Sequence, residues 1–212
     1  MPWVLIGPVA GLAWGAVDSV VNHVPEFLGE IATPRAERSG WAQASEFASL
    51  ILDAGWAWAA LAVLSGWLVC RSPGSGSDIA RGAVAGWLAL VFATSAYYFF
   101  DSIFDNDTWW GIATRYWLIG SSLFGPPLGA VGALIRRPGR VGMLAGMVVP
   151  VGAALQMLVR PPASNSLMAV PVRSTVLLGA AIAAAMVVRR YATWRRASTS
   201  VGAESRVDRP SG

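Results

Sequence analysis

Long apolar runs separated by short polar connections dominate the pattern of the chain. A membrane-spanning helix needs about 20 mostly apolar residues, and the connections carry the glycine, proline and arginine that are typical of turns between helices. The pattern predicts six spans, near Pro2–Asn22, Ser45–Cys70, Gly82–Phe100, Ile112–Ile135, Val141–Val159 and Met168–Val188.

These spans define an all-α, polytopic helix bundle in the membrane. We expect a single transmembrane helical domain over 1–190, followed by a disordered, polar, cytoplasmic tail over 191–212, because the tail is rich in small polar and charged residues. The single cysteine, Cys70, excludes an intramolecular disulfide and a cysteine-based metal cluster.

The composition agrees with a membrane class. Hydrophobic residues make up 55% of the 212 residues, the mean hydropathy is +0.52, and only 13% are charged. Charged residues are about 25% of a typical soluble domain. The net charge of +4 does not form a basic face, so we expect no nucleic-acid partner, and the lipid bilayer is the expected surrounding.

Arginine placement predicts the orientation of the bundle. One side of the predicted bundle holds Arg71, Arg81, Arg136, Arg137, Arg140, Arg189, Arg190, Arg195 and Arg196. The other side holds only Arg35, Arg38, Arg115, Arg160 and Arg173. The positive-inside rule places the first side, and both termini, in the cytoplasm of a multi-pass cell-membrane protein.

Most acidic residues fall in the opposite half of the molecule, and some lie inside spans. A carboxylate in hydrocarbon costs a few kcal/mol, so an intramembrane acid is a functional hypothesis by default. Glu46 and Asp53 are two helical turns apart and would share a face with Trp56 in a continuous second span. Trp14 and Asp18 are spaced by four in the first span and would share a face in the same way.

A third set of acids and aromatic rings ends the third span. Tyr97 and Asp101 are spaced by four, and Phe100 precedes Asp101. Arg115 and Trp117 begin the fourth span across a short turn. We expect Arg115 to be the counter-ion of one of the aspartates.

Simpler structural roles are open for many of these residues. Trp and Tyr at span ends usually form the interfacial belt, and a histidine such as His23 near the water boundary can be a surface or capping residue. The segment 105–107 reads most simply as a solvated turn. Asp53 fits such a role least well, because it lies well inside its span and an unpartnered acid there is costly.

A buried acid beside aromatic rings suits one kind of chemistry. Burial disfavours the charged form of an acid, so the acid can stay protonated at neutral pH and donate a proton to an alkene or epoxide. The resulting carbocation needs a dry chamber whose walls stabilise positive charge, and aromatic faces do so, tryptophan best of all. The chain holds 11 Trp, 7 Phe and 4 Tyr.

In size, span architecture and acid-plus-aromatic content over about residues 1–120, the chain resembles small actinobacterial integral-membrane proteins. Among these are the membrane-bound terpene cyclases that act on prenylated indoles and meroterpenoid precursors. The resemblance implies proton-initiated cyclisation of a lipophilic isoprenoid-type substrate, with Asp53 as general acid and Glu46 as its hydrogen-bonding partner. Asp18 and Asp101 are reserve acids. The expected substrate-binding walls are Trp14, Trp56, Tyr97, Phe100, Arg115 and Trp117.

Two other functions stay open. The D-x-x-x-D spacing of Asp101 and Asp105 is similar to part of the aspartate-rich motifs that hold Mg²⁺ and diphosphate in membrane prenyltransferases, but the sequence has no second motif. We therefore expect no cofactor and no metal. The non-enzyme alternative is a small transporter, permease partner or scaffold with a functional Asp53. Small residues such as Gly129 and Gly132 could let helices pack closely or mediate a homo-oligomer.

Overall fold

The computed structural model describes residues 2–70 and 76–207, and the described residues form helices and turns without a β-strand. Short 3₁₀ turns lie at Trp3–Leu5 and Arg35–Glu37. The α-helices are α1 (Ile6–Phe27), α2 (Gly40–Leu52), α3 (Gly55–Val69), α4 (Gly76–Phe104), α5 (Ile112–Leu134), α6 (Arg140–Val159) and α7 (Ala169–Val207). The predicted all-α class is confirmed.

The membrane-spanning capacity of these helices matches the predicted spans. Within the described part, five helices are each long and apolar enough to cross a membrane: α1, α4, α5, α6 and α7. The pair α2 and α3 passes the same test together but is bent by 62°. The chain is therefore a helical bundle of the multi-pass membrane type, with five continuous candidate spans and one broken one.

The last helix runs beyond the apolar stretch that could lie in a membrane. Its candidate span is Ala169–Arg196, and the helix continues to Val207. Residues 191–207 are helical, and residues 208–212 lie outside the described part of the chain. The disordered tail expected over 191–212 therefore stays a prediction. Arg71, one of the arginines used for the orientation, also lies outside the described part.

Small residues bring α1 and α4 into close contact. Gly7, Gly11 and Gly15 are spaced by four, so they lie on one face of α1. Each of them faces the backbone of α4, at Ala85, Ala89 and Ala93 respectively. Residue numbers increase in the same direction along the two contacting faces, so α1 and α4 are parallel neighbours. A stripe of small residues lets the two helix backbones contact each other directly, as is common between membrane helices.

The same principle joins α5 to its neighbours. Gly125 and Gly129 of α5 pack on Gly86 and Gly82 of α4, which makes these two helices antiparallel. Gly132 of α5 lies against the backbone of α3. The glycines of α5 thus let it sit close to both α3 and α4, and the three helices enclose the cavity described below.

The sixth candidate span is broken between α2 and α3. Asp53 ends α2 in a helical conformation, and Ala54 is extended, with φ −66° and ψ 133°. A helix that restarts leaves backbone N–H groups without intrahelical partners. One of these, on Trp56, donates to the side-chain oxygen of Gln156 in α6 over 3.1 Å. The Trp56 N–H is therefore satisfied within the protein, as irregular backbone at membrane depth requires.

The bundle has two chemically different ends. At one end of the bundle, α1 and α4 terminate and α3 and α5 begin, and we call this the acidic end. We call the opposite end the arginine end. At the arginine end, Arg136 stacks over the Trp67 ring, 4.6 Å from its centroid, and donates to the Trp67 carbonyl. Asp78 there pairs with Arg81 at 3.2 Å. The separation of the acids from most arginines stays a prediction for the chain as a whole.

Candidate functional site

A cavity of about 650 Å³ opens between α3, α4 and α5 toward the acidic end. Its volume falls in the range of about 300–1,000 Å³ that is usual for small-molecule sites. Apolar and aromatic side chains form most of the wall. The lining residues are Asp53, Gly55, Trp58, Ala59, Leu90, Thr94, Tyr97, Tyr98, Trp117, Gly120, Ser121, Phe124 and Leu128.

Asp53 is the acidic residue of this cavity, and the helix break places it there. Because α2 ends at Leu52 and α3 begins at Gly55, the carboxyl group of Asp53 lies ahead of the first turn of α3. The Asn22 amide donates to both carboxyl oxygens, at 3.3 and 3.1 Å, and the Ser49 hydroxyl donates to one of them at 3.1 Å. Three donor contacts from two helices fix the orientation of this acid at the cavity wall.

Asn22 also connects the acid to the aromatic wall. Its amide nitrogen lies 3.1 Å from the Tyr97 hydroxyl as well as within reach of Asp53. The ring of Tyr97 meets Tyr98 edge-on at 5.1 Å and Trp58 at 6.4 Å between centroids. A polar network from α1 therefore holds an acid and a phenol side by side at the same end of the cavity.

Asp18 lies directly behind Asp53 and is 0% exposed. It interacts electrostatically with Asp53 and has the Trp58 side chain beside it. Neither of its carboxyl oxygens has a hydrogen-bond partner among the described residues. Two neighbouring carboxyl groups repel each other when both are ionised, and here one of them is fully buried while the other faces the cavity. This arrangement favours a proton or a cation shared by the Asp18–Asp53 pair.

A second polar cluster surrounds His23 at the rim of the acidic end. The ring is 7% exposed, and its Nδ1 lies 2.8 Å from the Ser19 carbonyl oxygen. Its Nε2 lies 3.3 Å from Asp105 and 3.8 Å from Asp101. Phe104 packs against the imidazole at 4.8 Å between centroids. The single histidine is thus a buried, oriented group rather than a solvated one.

The cavity contains some of the residues predicted from the sequence. Asp53, Tyr97 and Trp117 line it, and Asp18 lies behind Asp53 as described. Trp14 packs against the apolar core that Leu61 and Ala89 form beside the cavity. These residues come from α1, α4, α5 and the helix break, so part of the predicted acid and aromatic sets lies in one region.

Other predicted residues lie elsewhere. Glu46 pairs with Arg35 at 3.2 Å, so the expected hydrogen bond to Asp53 is replaced by an ion pair to the preceding turn. Trp56 packs into the separate core of α2, α6 and α7. The cause is the break at Asp53, which ends the helical register that would have aligned Glu46, Asp53 and Trp56.

The remaining corrections concern the rim. Among the described residues, Asp101 lies 3.8 Å from His23 Nε2, whereas Arg115 donates to the Gly111 carbonyl oxygen and not to an aspartate. The helix of Arg115 starts just after Gly111, and its side chain folds back onto that start. Phe100 stacks with Phe99 and Phe104 instead of lining the cavity.

Three of the aromatic residues in the cavity wall were missed in the sequence. The wall includes Trp58, Tyr98 and Phe124, and none of these three was selected as a candidate from the sequence. Trp58 is two residues after Trp56, and the restart of the helix at Gly55 turns Trp58, not Trp56, toward α4. The signal in the sequence was Gly55, two residues after Asp53, because glycine is unfavourable in the interior of a helix.

The function has to be inferred from this cavity, from the Asp18–Asp53 pair and from the fold that positions them. The fold itself is a bundle of apolar helices, an architecture that serves enzymes, transporters and scaffolds alike. The chain matches no protein-family model, no curated protein and no solved structure.

Proposed function

We propose that the protein is a membrane-embedded terpene cyclase that starts cyclisation of a prenylated, lipophilic substrate by protonation. The observation that supports this most is that Asp53 stands at the wall of a 650 Å³ cavity with Trp58, Tyr97, Tyr98 and Trp117. An acid next to aromatic faces is what a proton-initiated carbocation reaction requires. The cavity lies between apolar helices, so an isoprenoid chain could enter from the bilayer.

The reaction follows from the contacts of Asp53. The carboxyl group donates its proton to a terminal alkene carbon or to an epoxide oxygen. With an alkene, the π electrons form the new C–H bond; with an epoxide, the C–O bond breaks and its electron pair stays on oxygen. Either route gives a tertiary carbocation. A second alkene of the substrate attacks this centre and closes a ring by a new C–C bond. Loss of a proton from a neighbouring carbon returns the proton to the carboxylate. The product is an isomer of the substrate, so no external reactant is consumed.

Each neighbour of Asp53 has a defined part in this reaction. Asn22 and Ser49 hold the carboxyl group in one orientation through the hydrogen bonds given above. Asp18 shares the proton, since it is fully buried beside Asp53 and interacts with it electrostatically. The rings of Trp58, Tyr97 and Trp117 offer their faces to the cation and contain no strong nucleophile that would trap it.

The test is turnover in membranes that contain the protein. Membranes with wild-type protein are given a prenylated aromatic acceptor or its terminal epoxide, and the products are analysed for a cyclised isomer. General acids typically contribute about 10²–10⁴-fold to a rate. Asp53→Asn should therefore lower cyclisation by at least about a hundredfold at unchanged protein level.

The matched control is Glu37→Gln, which neutralises an exposed acid outside the cavity. It should cyclise at the wild-type rate. Equal product formation by wild type and Asp53→Asn would remove Asp53 from the role of acid, whatever the overall activity. Unchanged substrate with every variant would remove the cyclase proposal itself.

The second candidate function is proton- or cation-coupled transport. It is favoured by the break in the α2–α3 span, because discontinuous helices with an acid at the break form ion sites in many transporters. The test is reconstitution in liposomes with a pH-sensitive dye inside. A proton flux that Asp18→Asn and Asp53→Asn abolish, together with no isoprenoid turnover, would favour transport over cyclisation.

A further inference from the structure

A second site lies at the rim of the acidic end, outside the cavity. His23 and Glu26 come from the last turns of α1, and Asp105 follows the end of α4. One ligand atom from each of these three residues lies within 4.8 Å of the others. An imidazole nitrogen and two carboxylate oxygens that converge in this way are a donor set for a divalent metal ion.

The tautomer of His23 is fixed by a group outside the cluster. The Ser19 carbonyl oxygen can only accept a hydrogen bond, so the Nδ1 that lies 2.8 Å from it carries a hydrogen. In the neutral ring, Nε2 then presents a lone pair to the carboxylates. Metal-binding histidines are oriented in the same manner, with the second nitrogen donating to a backbone carbonyl or a carboxylate.

The groups that Nε2 faces cannot pair with a lone pair. Asp105 is 3.3 Å away and Asp101 is 3.8 Å away, and carboxylate oxygens also only accept. A cation placed between them satisfies the lone pair and the carboxylate oxygens together. A proton on Nε2 would be shared between two acceptors and would leave Glu26 unpaired within the cluster.

We propose that His23, Glu26 and Asp105 bind a divalent transition-metal ion, with Zn²⁺ the best fit and a water molecule as the fourth ligand. Ligands held at 2.0–2.1 Å in a tetrahedron lie about 3.3 Å apart. That separation equals the distance from His23 Nε2 to Asp105. From the sequence we expected no metal, because the sequence does not show that α1 brings His23 to the end of α4.

The proposed metal is a link between helices. It would join the end of α1 to the end of α4 beside the mouth of the cavity, and it is independent of the cyclase proposal. The helices are already in contact along Gly7, Gly11 and Gly15. The metal would extend this contact to the rim, where the aromatic group of His23, Phe27 and Phe104 covers it.

The test uses the full-length protein in detergent, stripped of metal with a chelator and then titrated with Zn²⁺. We expect one equivalent bound per chain and a rise in melting temperature, because a ligand that binds the folded state stabilises it. Asp105→Asn and Glu26→Gln should each weaken binding by at least about tenfold, the low end of the effect of disturbing a metal site. Glu37→Gln, at the same end but outside the cluster, should bind as wild type does.

A spectroscopic measurement separates this site from binding by surface carboxylates. Co²⁺ in place of Zn²⁺ should give visible ligand-field bands of a four-coordinate ion, and His23→Gln should abolish them. Glu26→Gln and Asp105→Asn change exposed positions, so they keep the test informative if His23→Gln fails to fold. Substoichiometric binding, or equal affinity in wild type and Asp105→Asn, would overturn the proposal.

Discussion

At the scale of single residues, Asn22 makes three of the polar contacts beside the cavity. Its amide group bonds both oxygens of Asp53 and the Tyr97 hydroxyl, and these partners come from the α2–α3 break and from α4. A single side chain of α1 therefore positions two groups from other elements. The amide has only two hydrogens, so the contacts share donors and depend on one another.

The Asn22→Leu variant tests this role. Leucine has a similar volume but no donor, so Asp53 and Tyr97 lose their common partner. A hydrogen bond contributes about 0.5–1.5 kcal/mol net to stability, and we expect the free energy of unfolding in detergent to fall by about that amount. Thermal unfolding of the purified protein measures the change.

The control for this variant is Asn165→Leu, which makes the same exchange at an exposed position in the α6–α7 connection. It should leave unfolding unchanged. A double-mutant cycle with Tyr97→Phe then isolates the pair. Strictly additive effects of Asn22→Leu and Tyr97→Phe would mean that the two side chains do not interact.

The sequence indicates single acids better than it indicates their partners. Asp53 stands out because it interrupts an apolar run, and this feature is local. The partner expected from helical spacing was Glu46, but Glu46 pairs with Arg35 in the turn before α2. The true partner, Asn22, lies 31 residues away. Such a contact depends on how α1 packs, which a single sequence does not contain.

At the scale of helices, the break between α2 and α3 changes the site most. Hydropathy over Ser45–Cys70 predicts one span, and length and composition do support the pair as one bent span. The break itself depends on Gln156, which accepts from the freed Trp56 N–H. Periodicity within α2 and α3 carries no information about a residue of α6. That is why Trp56 was expected at the cavity and Trp58 was found there.

The packing of α1 on α4 gives a prediction at this scale. A Cβ atom on Gly15 would collide with the carbonyl oxygen of Ala93 and come close to the backbone nitrogen of Tyr97. Gly15→Ala must therefore push the helices apart. Overpacking of this kind costs about 1–3 kcal/mol, and we expect a lower melting temperature and a weaker Asn22–Tyr97 contact.

The matched variant is Gly179→Ala in α7, where an added Cβ meets nothing within 4 Å. Alanine is the better helix former by about 1 kcal/mol, so this variant should be neutral or more stable. The two substitutions are chemically identical, and thermal unfolding compares them directly. A Gly15→Ala protein as stable as Gly179→Ala would show that α1 and α4 do not touch along the glycine stripe.

At the scale of the whole molecule, the cavity results from how α3, α4 and α5 meet. Glycines of α4 and α5 hold these helices close toward the arginine end, for example Gly82 against Gly129. Larger side chains such as Trp58 and Trp117 line the space toward the acidic end. The number of spans follows from hydropathy alone, whereas the cavity follows from which helices are neighbours.

The orientation of the molecule in the membrane is a separate prediction. α1 and α4 end at the acidic end, and the predicted excess of arginine lies at the other, which the positive-inside rule assigns to the cytoplasm. We expect Glu37, in the α1–α2 connection, to face the outside of the cell. Ser198, near the end of the described part of α7, should face the cytoplasm together with the N-terminus.

Cysteine labelling decides this orientation. The background variant is Cys70→Ser, which removes the single native thiol, and Glu37→Cys or Ser198→Cys is added to it. A membrane-impermeant maleimide applied to intact cells should label Glu37→Cys but not Ser198→Cys, and inverted vesicles should show the reverse. A permeant maleimide should label both, which controls for thiol accessibility. The opposite pattern would place the acidic cavity mouth and the proposed metal site in the cytoplasm, where metal and substrate would reach them from inside the cell.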